Sequence, residues 1–413
     1  MSTIENGRKR IAAVLKEIDR LRQSEFPYPH PRDALELLGE WFKNLQSILE
    51  KAVLATPDVI NNACSMSLYE LVVYVPILGF ILRSTNVRNA FETYAPLLRL
   101  ARSLLGNETK LIVSSEWEFS PFVYRSITRL HRFVLIGLPA PESANPLLIP
   151  LAGHELGHSL WEIEDLSSRF IDKIRDGILH ELTTKRWSEY SKLFPHFKEQ
   201  DLIGDNLFAR QTWMSAYTWA LFQTEEIFCD FWGLELFAES YLHAFAYLVS
   251  PGIAGQRSLV YPNITRRVSH LVNAAQAMSV SVPKGFASDF IPENEPSEHV
   301  TKLLVSVADD VSASLELDLI NLAKELASQK AAPKRNGDNV SGICDEFRRR
   351  VVPVSNKQYL TDITNAGWNC FLDPDLWKDF SQIRPVDKDR ILKDLMLKSM
   401  EVAEIYERLE KYQ

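Results

Sequence analysis

Cysteine is scarce in this chain. The four residues present among 413, Cys64, Cys229, Cys344 and Cys370, show neither C-x-x-C spacing nor the density of a disulfide framework, so they read as reduced intracellular thiols. Long apolar runs are missing too. The most membrane-like stretch, Leu71 to Leu82, is only a dozen residues long, contains Pro76 and follows Glu70, which is too short to cross a bilayer. Met1 to Arg20 has no uninterrupted apolar core and scatters Glu5, Arg8, Lys9, Arg10, Lys16, Glu17 and Asp19 along its length. That pattern speaks against a secretory signal and deprives the sequons at Asn107, Asn263 and Asn339 of meaning. Positive charge is also in short supply. The formal net charge is −8, and the one basic run, Arg348 to Arg350, suits the last turn of a helix. Neither nucleic-acid binding nor membrane association is expected, and the cytoplasm is the expected setting.

What is present is an ordinary globular composition, 46% hydrophobic and 24% charged, on a chain long enough for one large catalytic domain with helical additions or for two to three units. Helical spacing of apolar residues recurs in 8–23, 33–54 and 86–105, and Gly106-Asn107 then stops it. Between 110 and 138 the pattern changes to short β-branched and aromatic runs, at Lys110 to Ser115, Trp117 to Phe119 and Arg132 to Gly137, which read as strands. A helix is expected to begin between Pro146 and Pro150 and to run to about Asp165. Further helices are expected over 167–194, 206–250 with an interruption, 263–281, 298–328 and 388–412. Pro283 to Pro296 looks like a linker, and Ala331 to Ser341 like a polar loop. The expected class is α+β, predominantly helical, with an N-terminal helical region at 1–106, a core at 107–282 and a C-terminal helical region at 297–413.

The most informative segment is His154-Glu155-Leu156-Gly157-His158. Two histidines four apart on a helix share one face, roughly 6 Å apart along the axis. Both imidazoles can then reach one zinc ion at about 2.0–2.1 Å. Glu155 falls beside such a metal, where a carboxylate can take a proton from bound water. A second segment, Gln223 to Gly233, carries Glu226 and Asp230, again four apart. A catalytic zinc has three protein ligands and keeps a fourth position open. Glu226 would be the third ligand, and Asp230 would accept the free ring N–H of a ligand histidine. Glu225 competes with Glu226 for the metal, but four residues beyond it stands Cys229 rather than a carboxylate. Cys229 could itself ligate, although a thiol in an apolar helix more often packs as a small hydrophobe.

Taken together, the two segments resemble the gluzincin class of zinc metallopeptidases, in which H-E-x-x-H is followed by E-x-x-x-D. The resemblance covers a small fraction of the chain. It implies a zincin-like core with a small sheet beside the H-E-x-x-H helix, and one Zn2+ held by His154, His158 and Glu226. It also implies Glu155 as general base, Asp230 behind the first histidine, and a peptide or protein as substrate. The long stretch between His158 and Glu226 departs from the compact members and calls for at least one inserted helix. In the same family a strand preceding the zinc helix offers its edge to the substrate, a role that Phe133 to Gly137 could take unless it is a central strand.

A donor for the developing oxyanion is still required. Ser258 to Arg267 resembles a His-Pro stretch with a downstream Arg in some cytosolic zinc-peptidase-like proteins. Tyr261 replaces the His, Pro262 matches, and Arg267 stands at the matching offset, so Tyr261 and Arg267 are the catalytic candidates there. Each has a plain structural alternative, a turn cap and an ion pair. His243, His270 and the unpaired His30, His131, His180, His196 and His299 read as structural or surface residues, and Trp161, Trp213, Trp219 and Trp232 as core. Two other readings fit the same residues. One is a zinc hydrolase of small amides, which metal ligation by Cys229 would favour. The other is a catalytically inactive, metal-stabilised scaffold whose helical flanks bind a partner, and in an active enzyme the same flanks could take a regulatory partner.

Overall fold

This computed structural model describes residues 3–87, 90–118, 121–124, 127–204, 206–252, 255–353 and 358–410. The protein is predominantly helical, with 72% of residues in helix and one small mixed sheet, which places it in the α+β class. It divides into two compact units, residues 1–102 with 106–144, and residues 103–105 with 145–413.

The first unit is built on α1 (Thr3–Leu21), α2 (His30–Ala52) and α3 (Pro57–Arg83), with α4 (Ala95–Leu105) leading into the sheet. Leu35, Leu38, Phe42, Leu45 and Leu49 recur at helical spacing on α2 and are fully buried. They meet Ile11 and Ile18 of α1, Ile77, Phe80 and Ile81 of α3, and Ile112 and Leu135 of the sheet in one core. Each such side chain contributes about 1.5–3 kcal/mol of burial. The Leu71–Leu82 run is not a short segment, as the sequence suggested. It is the C-terminal part of the 27-residue α3, whose N-terminal half is polar enough to hide it and which accommodates Pro76 within. Pro57–Asn86 is consequently the one segment among the described residues long and apolar enough to cross a membrane, with 33% of its apolar window buried.

The strands are β1 (Lys110–Glu116), β2 (Phe122–Val123) and β3 (Phe133–Pro139), in the order β1-β3-β2. β3 pairs in parallel with β1 from Lys110↔Phe133 to Glu116↔Pro139, and antiparallel with β2 at Phe122↔Gly137. It is therefore a central strand, and the edge expected for an extended substrate is occupied. Trp117 and Glu118 lie exposed beyond the end of β1 rather than in a strand, and Phe119 is outside the described residues. The outer edge of β1 is closed in an unusual way. The Tyr28 hydroxyl accepts from Val113 N–H at 2.8 Å and donates to Val113 C=O at 2.6 Å. His30 Nδ1 accepts from Leu111 N–H at 3.1 Å. Two side chains thus stand in for a neighbouring strand and satisfy the edge.

The second unit gathers α5 (Ala152–Ile163), α6 (Ile171–His180), α7 (Trp187–Leu193), α8 (Glu199–Ile203), α9 (Leu207–Phe237), α10 (Glu239–Val249), α11 (Ile264–Ala277), α12 (His299–Ser314), α13 (Glu316–Gln329), α14 (Gly337–Arg349), α15 (Leu360–Leu372) and α16 (Pro385–Glu410). α9 is its axis. From Gln223 to Leu234 every residue of α9 is buried, its polar side chains included, and α5, α6, α10, α11, α12 and α13 pack on it. The interruption anticipated within 206–250 falls at Ala238, whose φ of +50° ends α9. The Asn365 side chain of α15 then accepts from Ser240 N–H and donates to Phe237 C=O.

Two boundaries differ from the sequence reading. The strands group with the N-terminal helices and not with α5, and residues 297–413 share a unit with α5 and α9 rather than forming a separate region. Part of the polar stretch 331–341 is also helical, because the Asn336 side chain caps α14 by accepting from Asp338 and Asn339 N–H.

Removing the hydroxyl in Tyr28→Phe leaves both polar groups of Val113 unpaired, a loss of about 1–3 kcal/mol. Faster hydrogen exchange at Val113 than in the wild type is the expected readout. Burial also holds the His30 imidazole below its usual pKa, and a ring nitrogen that accepts from Leu111 N–H keeps the same neutral form. The neutral ring is the form the fold prefers. Its contribution is then present above the unfolded value of about 6.5 and fades as pH falls through the lower folded value. Protection of the Leu111 amide should weaken over that acid window in wild type, and less so in His30→Asn.

Candidate metal centre

The centre begins with missing side chains. The 3₁₀ turn Pro146–Leu151, opened by Asn145 accepting from Leu147 N–H, feeds directly into α5. On α5, Gly153 and Gly157 face α9. A Cβ on Gly153 would lie 3.1 Å from Gly233 Cα, and one on Gly157 would lie 3.0 Å from Cys229 Cα. The two backbones are therefore nearly in contact, and side chains flanking the glycines are carried into one another's reach.

His154 and His158 of α5 are both buried, with rings 4.9 Å apart and almost perpendicular. Each uses its two nitrogens for different partners on α9. His154 Nδ1 lies 3.0 Å from Asp230 Oδ1, and its Nε2 lies 3.2 Å from Glu226 Oε2. His158 Nδ1 lies 2.8 Å from Glu225 Oε1, and its Nε2 lies 3.6 Å from Glu226 Oε1. A carboxylate accepts and does not donate, so both Nδ1 atoms carry the hydrogen of the neutral ring. The Nε2 atoms then converge on the Glu226 carboxylate, with a proton or a metal ion needed between each nitrogen and the oxygen it faces.

One ligand atom from each of His154, His158 and Glu226 lies within 4.8 Å of the others. This buried group can hold a metal ion. Two imidazole nitrogens and one carboxylate oxygen, each ring oriented from behind by a second carboxylate, form a donor set that suits zinc.

Glu225 and Cys229, the two alternative ligands, both stand on the Nδ1 side of His158. The Cys229 sulfur is 3.3 Å from that atom. Glu225 gives His158 the same support that Asp230 gives His154, a role the sequence left unread because adjacency to Glu226 suggested competition. Asp230 is itself held on several sides. Arg267 donates to it through Nε at 2.6 Å and Nη2 at 2.8 Å, and the Tyr241 hydroxyl donates at 2.7 Å. Tyr241 had no signal in the sequence, since it comes from α10 across the break at Ala238.

The electrostatics follow from this burial. Desolvation lowers the pKa of His154, but hydrogen bonds to Asp230 and Glu226 and their charges carry it up to about 10. Desolvation raises Glu226, yet the His154 hydrogen bond and the charges of His158, His154 and Arg267 bring it down to about 2. Asp230 is likewise held well below the carboxylate range, chiefly because Arg267 outweighs burial. The site favours a cation at His154 strongly. Glu155 goes the other way: burial pushes its carboxyl up, and the neighbouring His154 and His158 only partly oppose this.

The structure places the two remaining candidates differently. Arg267 reaches the centre through Asp230, with Nη2 3.9 Å from Glu226 Oε2. Tyr261 is exposed, its ring 5.6 Å from the Arg267 guanidinium. Its segment is anchored by the buried Arg257, which donates to Tyr261 C=O at 3.1 Å and makes a bidentate pair with Asp309. Gln223 adds a hydrogen bond to Leu259 C=O. His243 stacks on Trp368, and His270 bonds Glu316, both outside the metal-binding group.

Comparison with family models, with curated proteins and with solved structures finds no match to this chain.

The glycine contact can be tested by sign. Alanine in place of glycine gains about 1 kcal/mol of helix propensity, and an overpacked contact loses about 1–3 kcal/mol. Gly157→Ala should therefore destabilise the second unit in denaturant melts. Gly342→Ala on α14, where a Cβ meets nothing within 4 Å, should leave it unchanged or more stable.

Proposed function

We propose that this protein is a zinc-dependent metallopeptidase of gluzincin type, hydrolysing peptide bonds with Glu155 as general base. One observation carries the reading: His154, His158 and Glu226 converge in a buried cluster while both histidines are oriented from behind by Asp230 and Glu225. On this reading α5 and α9 form a zincin-like core. Zinc bound there would acidify water and polarise the scissile carbonyl.

The residues of the chain then divide the work. Glu155 takes the proton from the attacking water and passes it to the leaving amine. Its elevated pKa suits both halves of that exchange, since the carboxyl must hold the proton between them. Asp230 and Glu225 keep both rings presenting Nε2, and Arg267 with Tyr241 keeps Asp230 in place. Tyr261, exposed and with its ring 5.6 Å from the Arg267 guanidinium, is the side chain this reading assigns to donate a hydrogen bond to a substrate carbonyl. The four free cysteines support an intracellular setting. Ligation by Cys229, which would favour the small-amide reading, has no support from its place behind His158.

Elemental analysis of the purified wild type should return about one zinc per chain, with marked loss in Glu226→Ala. Glu155→Gln should keep the zinc and lower cleavage of an unstructured peptide by about 10²–10⁴-fold. Zinc in wild type with equal cleavage by Glu155→Gln would refute the peptidase assignment. Absence of zinc even after reconstitution would refute the centre itself.

A further inference from the structure

Away from the metal centre, two of the four cysteines meet. Cys344 on α14 and Cys370 on α15 lie side by side where the two helices meet. Cys344 Sγ lies 3.6 Å from the carbonyl oxygen of Ala366, one turn before Cys370, and Cys370 Sγ lies 3.9 Å from the carbonyl oxygen of Cys344. Both are buried where α14 and α15 pack together. The other two lie elsewhere, Cys64 in the first unit and Cys229 behind His158. Oxidation requires the two sulfurs to approach to the roughly 2.05 Å of a sulfur–sulfur bond.

We propose that Cys344 and Cys370 are a reversible redox pair, oxidised by a small peroxide to a disulfide that ties α14 to α15. The Cys344 sulfur attacks one peroxide oxygen, the O–O bond breaks, and a sulfenic acid and one water form. The Cys370 sulfur then attacks the sulfenic sulfur and expels its oxygen as a second water, the Cys370 proton going to that oxygen. Two thiols and one hydrogen peroxide give one disulfide and two waters, and the two electrons come from the sulfurs. The order of attack follows from access: Cys344 is 5% exposed against 1% for Cys370, so its sulfur meets the peroxide first and Cys370 is the resolving thiol.

The link would act on a helix that supports the whole unit. α15 bonds the α9–α10 break through Asn365, and its Trp368 indole donates to Leu147 C=O in the turn that leads into α5. A covalent tie between α14 and α15 fixes that support whether or not a metal is bound.

The test uses the full-length wild-type protein. After hydrogen peroxide, unfolding in N-ethylmaleimide and digestion, mass spectrometry should find a Cys344–Cys370 linked peptide with Cys64 and Cys229 alkylated. Dithiothreitol should restore alkylation at all four. The oxidised protein should also melt several degrees higher, and Cys344→Ser should show no such rise. Three results would overturn the pair: all four thiols alkylated at every peroxide dose, links that involve Cys64 or Cys229, or over-oxidised Cys344 beside a free Cys370. The mapping needs no variant, so poor folding of Cys344→Ser would not obscure it, and it is read without reference to zinc or peptidase activity.

Discussion

Everything at the centre depends on how closely α5 lies on α9. Gly153 and Gly157 remove two side chains from one helix, and Gly233 removes one from the other, where a Cβ would fall 2.4 Å from the Tyr241 ring. With the backbones that near, short acidic side chains of α9 reach both nitrogens of each imidazole. Glu226 sits between the rings, Asp230 one turn along meets His154, and Glu225 meets His158. Wider separation would leave the same residues in place along each helix but out of hydrogen-bond range. The same closeness explains why α9 is buried on all sides from Gln223 to Leu234: a stretch pressed on by α5 along one stripe and enclosed by neighbouring helices elsewhere has no face left for water.

Such a centre concentrates carboxylates in a dry place. Glu155, Glu225, Glu226 and Asp230 are all buried, and burying charge without compensation costs several kcal/mol per ion. Arg267 compensates part of this from one side, bound twice to Asp230 and stacked over Phe245. The raised His154 shows the rest of the imbalance, because it holds a proton between Asp230 and Glu226, while burial is what pushes Glu155 up. A divalent cation at the converging Nε2 atoms would settle the same imbalance without a proton. That is the physical reason to read the cluster as a metal site rather than as a structural ion-pair network.

What the sequence made legible was local. His154 with His158 and Glu226 with Asp230 are each four apart, and helical geometry alone puts such pairs on one face. The small residues at 153 and 157 carried the same spacing and could have announced the helix contact. What stayed hidden was set by packing between distant segments. Tyr241 reaches Asp230 only because Ala238 turns the chain, and the role of Glu225 follows from which side of His158 it faces. β3 became a central strand because the two-residue β2 pairs with it, and a pairing that short leaves almost no pattern. The length of α3 was obscured because Asn61, Asn62, Ser65 and Ser67 break the apolar run without breaking the helix.

The C-terminal helices looked like an appendage in the sequence, free to bind something else. Their contacts give them another role. Asp309 of α12 neutralises the buried Arg257, which in turn holds the Tyr261 segment, and Ser312 of the same helix bonds Gln223 of α9 at 3.0 Å. Asn365 of α15 satisfies the backbone at the point where α9 gives way to α10. Each of these partners is buried, and a buried polar group stripped of its partner costs about 1–3 kcal/mol. Residues 299–372 are thus part of the scaffold that fixes α9, and through α9 the spacing of Glu225, Glu226 and Asp230. α12 and α15 brace α9 on both sides of the stretch that meets the two glycines of α5.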